Sequence, residues 1–171
     1  LGAPERIILD VQSNLASSYE LVGRLEEGML MREDVYSRTS DIWGEEHRET
    51  LQEANNYALS LGDLRRFEEA RALLRRTIPV ARRVLGENHE LMLRMRWMYA
   101  VALYEGPAAT LGDLREAAET LEDAGRIALR VLGGAHPTTS LIEKNLRRTL
   151  ADYTVQLYAV EVYGQGGPPN F

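Results

Sequence analysis

The sequence predicts an all-α solenoid of stacked antiparallel helix pairs, with three full repeats and a C-terminal capping helix. A recurring loop is the first observation behind this. Trp43-Gly44-Glu45-Glu46-His47 returns as Leu85-Gly86-Glu87-Asn88-His89 and as Leu132-Gly133-Gly134-Ala135-His136-Pro137. The glycines are 86 − 44 = 42 and 133 − 86 = 47 residues apart, and self-similarity at such a period marks a repeat architecture. The second observation is small residues at matched places: Ala16, Ala58 and Ala100 in first helices, Gly28, Ala70 and Ala117 in second helices. The third is apolar spacing of three to four between these markers, as on one helix face. One helix pair cannot bury its apolar face alone, so neighbouring pairs must stack.

The repeats run over about 7–47, 48–89 and 90–136, with the cap over 138–162. In the first, Ile8, Val11, Leu15, Tyr19 and Val22 lie along one face of the opening helix. In the second, Phe67, Ala70, Leu74, Ile78 and Leu85 do the same for the closing helix, with Pro79 expected to kink it because proline lacks an N–H and crowds the preceding turn. The third repeat has five extra residues, which the Gly-Pro stretch at 105–110 accommodates as a lengthened turn. Leu114, Ala117, Leu121, Ala124 and Leu132 then repeat the pattern around a mid-helix Gly125. Each Gly loop ends a second helix, and Pro137 suits the first turn of the cap. Arg147 stands in the cap where alanine recurs earlier, so no tightly packed partner helix is expected after it. The tail, 163–171, is rich in Gly and Pro and is expected to be extended.

Composition narrows the function classes. Hydrophobic residues are 44% and charged residues 27% of the 171, enough to fill a core. The net charge of −6 repels phosphate backbones and anionic bilayers, so neither nucleic acid nor direct membrane binding is expected. Cysteine is absent, which removes disulfides and thiolate chemistry. No apolar run reaches the roughly 18 residues that span a bilayer. The reading is of an intracellular, soluble chain, cytoplasmic or organellar after removal of a targeting peptide.

The Asn56-Tyr57-Ala58 block, Phe67-Glu68-Glu69-Ala70, Leu73-Leu74-Arg75-Arg76 and the Leu85-Gly86-Glu87-Asn88-His89 loop resemble the tetratricopeptide repeat, in the 42-residue variety of kinesin light chains. The resemblance implies a right-handed superhelix whose first helices line a concave protein-binding surface. By it, the wall would take Ser13, Asn14 and Ser17 from the first repeat and Gln52, Asn55, Asn56 and Leu59 from the second. Arg94, Trp97, Met98, Val101 and Tyr104 would come from the third, and Lys144, Asn145 and Arg148 from the cap. Asn14, Asn56 and Asn145 share one repeated position. A carboxamide both donates and accepts, which suits an extended peptide of any sequence; the same side chains also suit bonds inside the solenoid. Trp97, Met98, Val101 and Tyr104 read as an apolar interface patch. In the cap, Leu146, Leu150, Tyr153, Leu157 and Val160 form one stripe, and Val155, Tyr158, Ala159 and Val162 a second on another side. One stripe can cover the preceding repeat; the second calls for a further partner.

Chemistry beyond binding finds no constellation. His47, His89 and His136 sit in the same loop of successive units, and helices alone are 8–10 Å apart, too far for ligands that zinc holds at about 2 Å. Loop hydrogen bonding is the expected role. No phosphate loop, dinucleotide fingerprint or nucleophile elbow is present. No catalytic residue, cofactor or metal site is expected. Arg75-Arg76 and Arg82-Arg83 are read as a solvated outer face, able to grip an acidic partner. The expected function is a non-catalytic scaffold taking a peptide or helix of a partner in its concave surface. The alternative is a constitutive subunit of a large complex, docked through the apolar C-terminal helix.

Overall fold

The computed structural model describes residues 3–164, which form seven helices and no strand. They are α1 Ala3–Leu21, α2 Leu25–Trp43, α3 Arg48–Asp63, α4 Phe67–Leu85, α5 Glu90–Tyr104, α6 Leu111–Leu132 and α7 Pro137–Tyr163. The Gly/Pro-rich stretch from 165 onward lies outside the described residues, so the expectation about the tail falls there.

Each hairpin-to-hairpin loop is built by two local devices. Gly44, Gly86 and Gly133 end α2, α4 and α6 at φ of 85°, 79° and 86°, a region that β-carbons disfavour. His47, His89 and His136 then open α3, α5 and α7 from extended backbone. Their Nδ1 atoms accept from the amides of Glu49, Leu91 and Thr138 at 3.3, 3.1 and 3.2 Å. Each histidine thus satisfies one of the free donors that a helix start leaves. The turns inside the first two hairpins are short, while 105–110 forms the longer one before α6, which Thr110 and Asp113 open with a capping box. α4 runs unbroken through Pro79. Pro79 faces solvent, so water can serve the carbonyl that its missing N–H leaves free.

The recurring small residues are the contact points. Ala16, Ala58, Ala100, Ala70 and Ala117 are fully buried, and a β-carbon on Gly28 would lie 3.1 Å from the Ala16 carbonyl. Close backbone approach follows, and the larger side chains interlock around it. One cluster joins Leu51, Leu61, Leu74, Met92 and Met95 across the second repeat into α5. The other joins Leu103, Leu114, Leu121 and Ile142 across the third repeat into α7. α3 packs directly on α5 and α5 on α7, whereas α4 and α6 have no comparable backbone contact. From α3 to α7 the first helices therefore form the inner, continuous wall, which α1 joins through side chains such as Ser13 to Glu53.

The apolar stripe of α1 is turned outward. Ile7, Ile8, Val11 and Leu15 are exposed. Two repeats on, 84 residues later, stand Leu91, Met92, Met95 and Tyr99, which pack into the cluster of the preceding hairpin. The α1 stripe is thus a hairpin-facing surface, uncovered within the described residues. Beside it, α2 buries Arg32, which donates to Ser13 Oγ at 2.8 Å and Ser17 Oγ at 2.6 Å and pairs with Glu20 at 3.1 Å.

Candidate functional site

The wall begins with Asn14, which is exposed on α1. Ser13 and Ser17, expected beside it on the free surface, instead serve Arg32. On α3, Asn56 is half-buried; its Oδ1 accepts from Gln52 at 3.1 Å and its Nδ2 donates to Glu53 at 3.3 Å. Burial is the largest influence on Glu53 and pushes its carboxyl above the usual range, against the bonds from Asn56 and Ser13. Asn55 corrects the expectation: it is 0% exposed, not groove-facing. One residue is about 100° of helix turn, which carries Asn55 off the open face and inward.

α5 supplies the centre. Arg94, Trp97 and Val101 are half-buried at spacings of three and four, a single accessible strip. Met98 was expected in the same apolar patch but is only 2% exposed. The reason lies in the preceding hairpin: Gly62 has no side chain, and Met98 fills the space so fully that a β-carbon there would sit 2.6 Å from Cε. Tyr104 is also buried, contrary to expectation. Its hydroxyl donates to Asn145 Oδ1, and Arg148 stands 5.5 Å over its ring. Burial first, then the Glu105 carboxylate, pushes the Tyr104 phenol up to about 12.

α7 thus closes over Tyr104. Asn145 is committed to that bond and to the Leu141 carbonyl, to which its Nδ2 donates at 2.8 Å. Arg148 is exposed but pairs with Glu105 at 2.5 Å, and Lys144 is exposed nearby on the same helix. The three repeated asparagines therefore differ in state: Asn14 is open, while Asn56 and Asn145 bond within the solenoid. Further along α7, Val155, Tyr158 and Val162 are 68%, 64% and 49% exposed. The α1 stripe matches them at the other end, and its outward orientation had only one sequence signal, the comparison with Leu91, Met92 and Met95 two repeats later. Among the described residues, no group of three His, Cys, Asp or Glu is placed to hold a metal ion. Within the same residues, no helix is long and apolar enough to cross a membrane.

Comparison with known proteins fits this geometry. Residues 50–90 match the model of the tetratricopeptide repeat. A search of curated proteins returns no match. Among solved structures, the chain is similar to the nearly identical TPR-like repeats assigned to a Podosopora anserina kinesin light chain. That similarity has 24% identity and a TM-score of 0.78 over 94% of this chain and 73% of that one. A variant of the same repeats, with methionine in place of one glutamine, gives 24% and 0.77 over 93% and 72%. BtubC (BKLC) from P. vanneervenii gives 18% and 0.66 over 97% and 68%. At these identities the likeness is one of fold. The chain is an all-α tetratricopeptide-type solenoid. Within it, Gly44 and Gly86 mark a 42-residue interval, and the sequence match to the tetratricopeptide repeat covers residues 50–90.

Proposed function

We propose that this chain is a non-catalytic protein–protein interaction scaffold, taking a peptide or helix of a partner along the wall of first helices. The observation that carries this reading is the strip of Arg94, Trp97 and Val101 on α5, half-buried at helical spacing, with Trp97 and Val101 resting on both core clusters. Tryptophan and arginine dominate binding hot spots because each removes a large area from water while keeping a polar handle. Arg148 and Lys144 are exposed on α7, the next first helix, and Asn14 is exposed on α1. Asn56 and Asn145 on the same wall bond within the solenoid, so Asn14 is the repeated carboxamide left open to a ligand. Such a site orients a ligand backbone and anchors one or two of its side chains.

The test starts from proteins that co-purify with the native chain and are identified by mass spectrometry. Affinity for the recovered partner is then measured with the R94A/W97A/V101A variant. Truncating a hot-spot tryptophan alone costs about 2 kcal/mol or more, so affinity should fall at least tenfold with unchanged helical circular dichroism. Undiminished affinity rejects the wall as the site.

The exposed Val155, Tyr158 and Val162 favour a second reading, a permanent subunit docked through α7. In that case the Y158D/V162D variant should lose incorporation into its complex while keeping its helicity. Normal incorporation counts against α7 as an interface.

A further inference from the structure

On the side of the second helices, a cavity of about 320 Å³ opens between the second and third hairpins. Its charged lining is Arg82 from α4, Glu87 from the loop, Arg96 from α5, and Asp123, Arg126 and Arg130 from α6. Four guanidinium groups face two carboxylates there, an excess of two positive charges in a chain of net charge −6.

Arg96 is the centre of the arrangement. It is 8% exposed, yet it stands 3.7 Å from Glu87 and 3.7 Å from Asp123. Its hydrogen bond to the Thr120 carbonyl is long, at 3.4 Å. A guanidinium has five N–H donors, and bonds to carboxylates normally close to about 2.7–2.9 Å. Outer arginines take one oxygen of each carboxylate: Arg82 holds Glu87 Oε1 at 2.5 Å and Arg126 holds Asp123 Oδ1, while Arg130 turns to Asn88 at 3.0 Å. Glu87 Oε2 is buried without a hydrogen-bond partner, 3.7 Å from Arg96. Burial lowers the Arg96 pKa against the pull of Glu87 and Asp123, as expected of a cation with too few close acceptors.

We propose that this cavity binds a phosphomonoester dianion, presented by a phosphorylated serine or threonine in a segment of a partner protein. A phosphomonoester brings nearly two negative charges and three acceptor oxygens, matching the excess charge of a lining that three helices and a loop supply. A single carboxylate has about half the charge. A nucleic-acid strand is a poorer fit, because the cavity accepts one group and Glu119 and Glu122 are exposed on the same helix. A second hollow of about 210 Å³ shares Arg82 and Arg96 and is walled by Ile78, Pro79 and Tyr99. It offers room for an apolar side chain beside the phosphorylated residue. This surface is separate from the wall of first helices, so the two sites can be tested independently.

The probe is a fluorescein-labelled heptapeptide with a central phosphoserine flanked by leucines, titrated into the full chain by fluorescence anisotropy. Saturable binding is expected, at least tenfold weaker for the unphosphorylated peptide and for R126Q/R130Q. Both arginines are exposed, so that variant should fold; R96Q should show the same loss. R94A/W97A/V101A should bind the phosphopeptide normally, which separates this site from the groove. Equal binding of the two peptides, or full binding by R126Q/R130Q, overturns the proposal. Displacement by inorganic phosphate at the affinity of the phosphopeptide overturns the partner segment as the source.

Discussion

At the scale of single residues, the loops between hairpins rest on one glycine and one histidine each. Gly44, Gly86 and Gly133 adopt φ/ψ of 85°/164°, 79°/162° and 86°/162°. That corner of conformational space is essentially reserved for glycine, at a cost of about 1–3 kcal/mol for other residues. Nothing lies within 4 Å of a β-carbon placed on Gly86, so crowding is not the issue. Gly86→Ala should therefore destabilise the chain by about 1–3 kcal/mol in urea denaturation, from backbone strain alone. A variant as stable as the parent would contradict this account. The matching loops matter to function because they fix the direction in which the next first helix joins the wall.

At the scale of helices, the same substitution has opposite expected signs at two places. Gly125 lies inside α6, where a β-carbon would meet Ile142 Cγ2 at 3.5 Å, an ordinary contact. Gly125→Ala should raise stability by roughly 0.5–1 kcal/mol, since glycine loses most chain entropy in a helix interior. Gly28 lies where α1 and α2 cross, and a β-carbon there would lie 2.7 Å from Glu20 Cγ and 3.1 Å from the Ala16 carbonyl. Glu20 is held there by Arg32 and Ser60. Gly28→Ala must push the helices apart and should cost about 1–3 kcal/mol, as overpacking does. Paired thermal melts check both, and equal shifts in one direction would refute the distinction.

At the scale of the molecule, hairpins are coupled to their neighbours through tyrosines as well as aliphatic packing. Tyr57 of α3 stacks on Tyr36 of α2 with ring centroids 6.1 Å apart, and Tyr104 of α5 is tied to Asn145 of α7. Burial, the largest cause in both, pushes the two phenols up to about 12 from 10.0. The folded state thus favours the neutral phenol. Stability from this source is complete below the unfolded pKa of 10.0 and is lost as pH rises towards about 12. Both phenols should titrate late by ultraviolet phenolate absorbance, and burial raises Tyr99 in the same direction. The Y57F/Y104F variant should shrink that phase and flatten the alkaline loss of stability. Titration of every phenol near 10 would refute the coupling.

The sequence by itself determined the class of fold, the helix pairs, the lengthened turn at 105–110 and the small-residue contact points. These are local and periodic properties, and a residue type recurring every 42 or 47 positions carries them without knowledge of neighbours. The resemblance to the tetratricopeptide repeat also put Arg94, Trp97, Met98, Val101 and Tyr104 together on α5; three of them, Arg94, Trp97 and Val101, share a face at helical spacing. Only the tertiary structure decided which faces stay open. Met98 is buried because the previous hairpin offers Gly62, and Tyr104 because α7 brings Asn145 and Arg148 over it. Asn55 turns inward while Asn14 stays out, and the arginine cavity assembles from three helices. Burial is a property of pairs of surfaces roughly 40 residues apart in sequence, and one helix's periodicity does not say what lies opposite it.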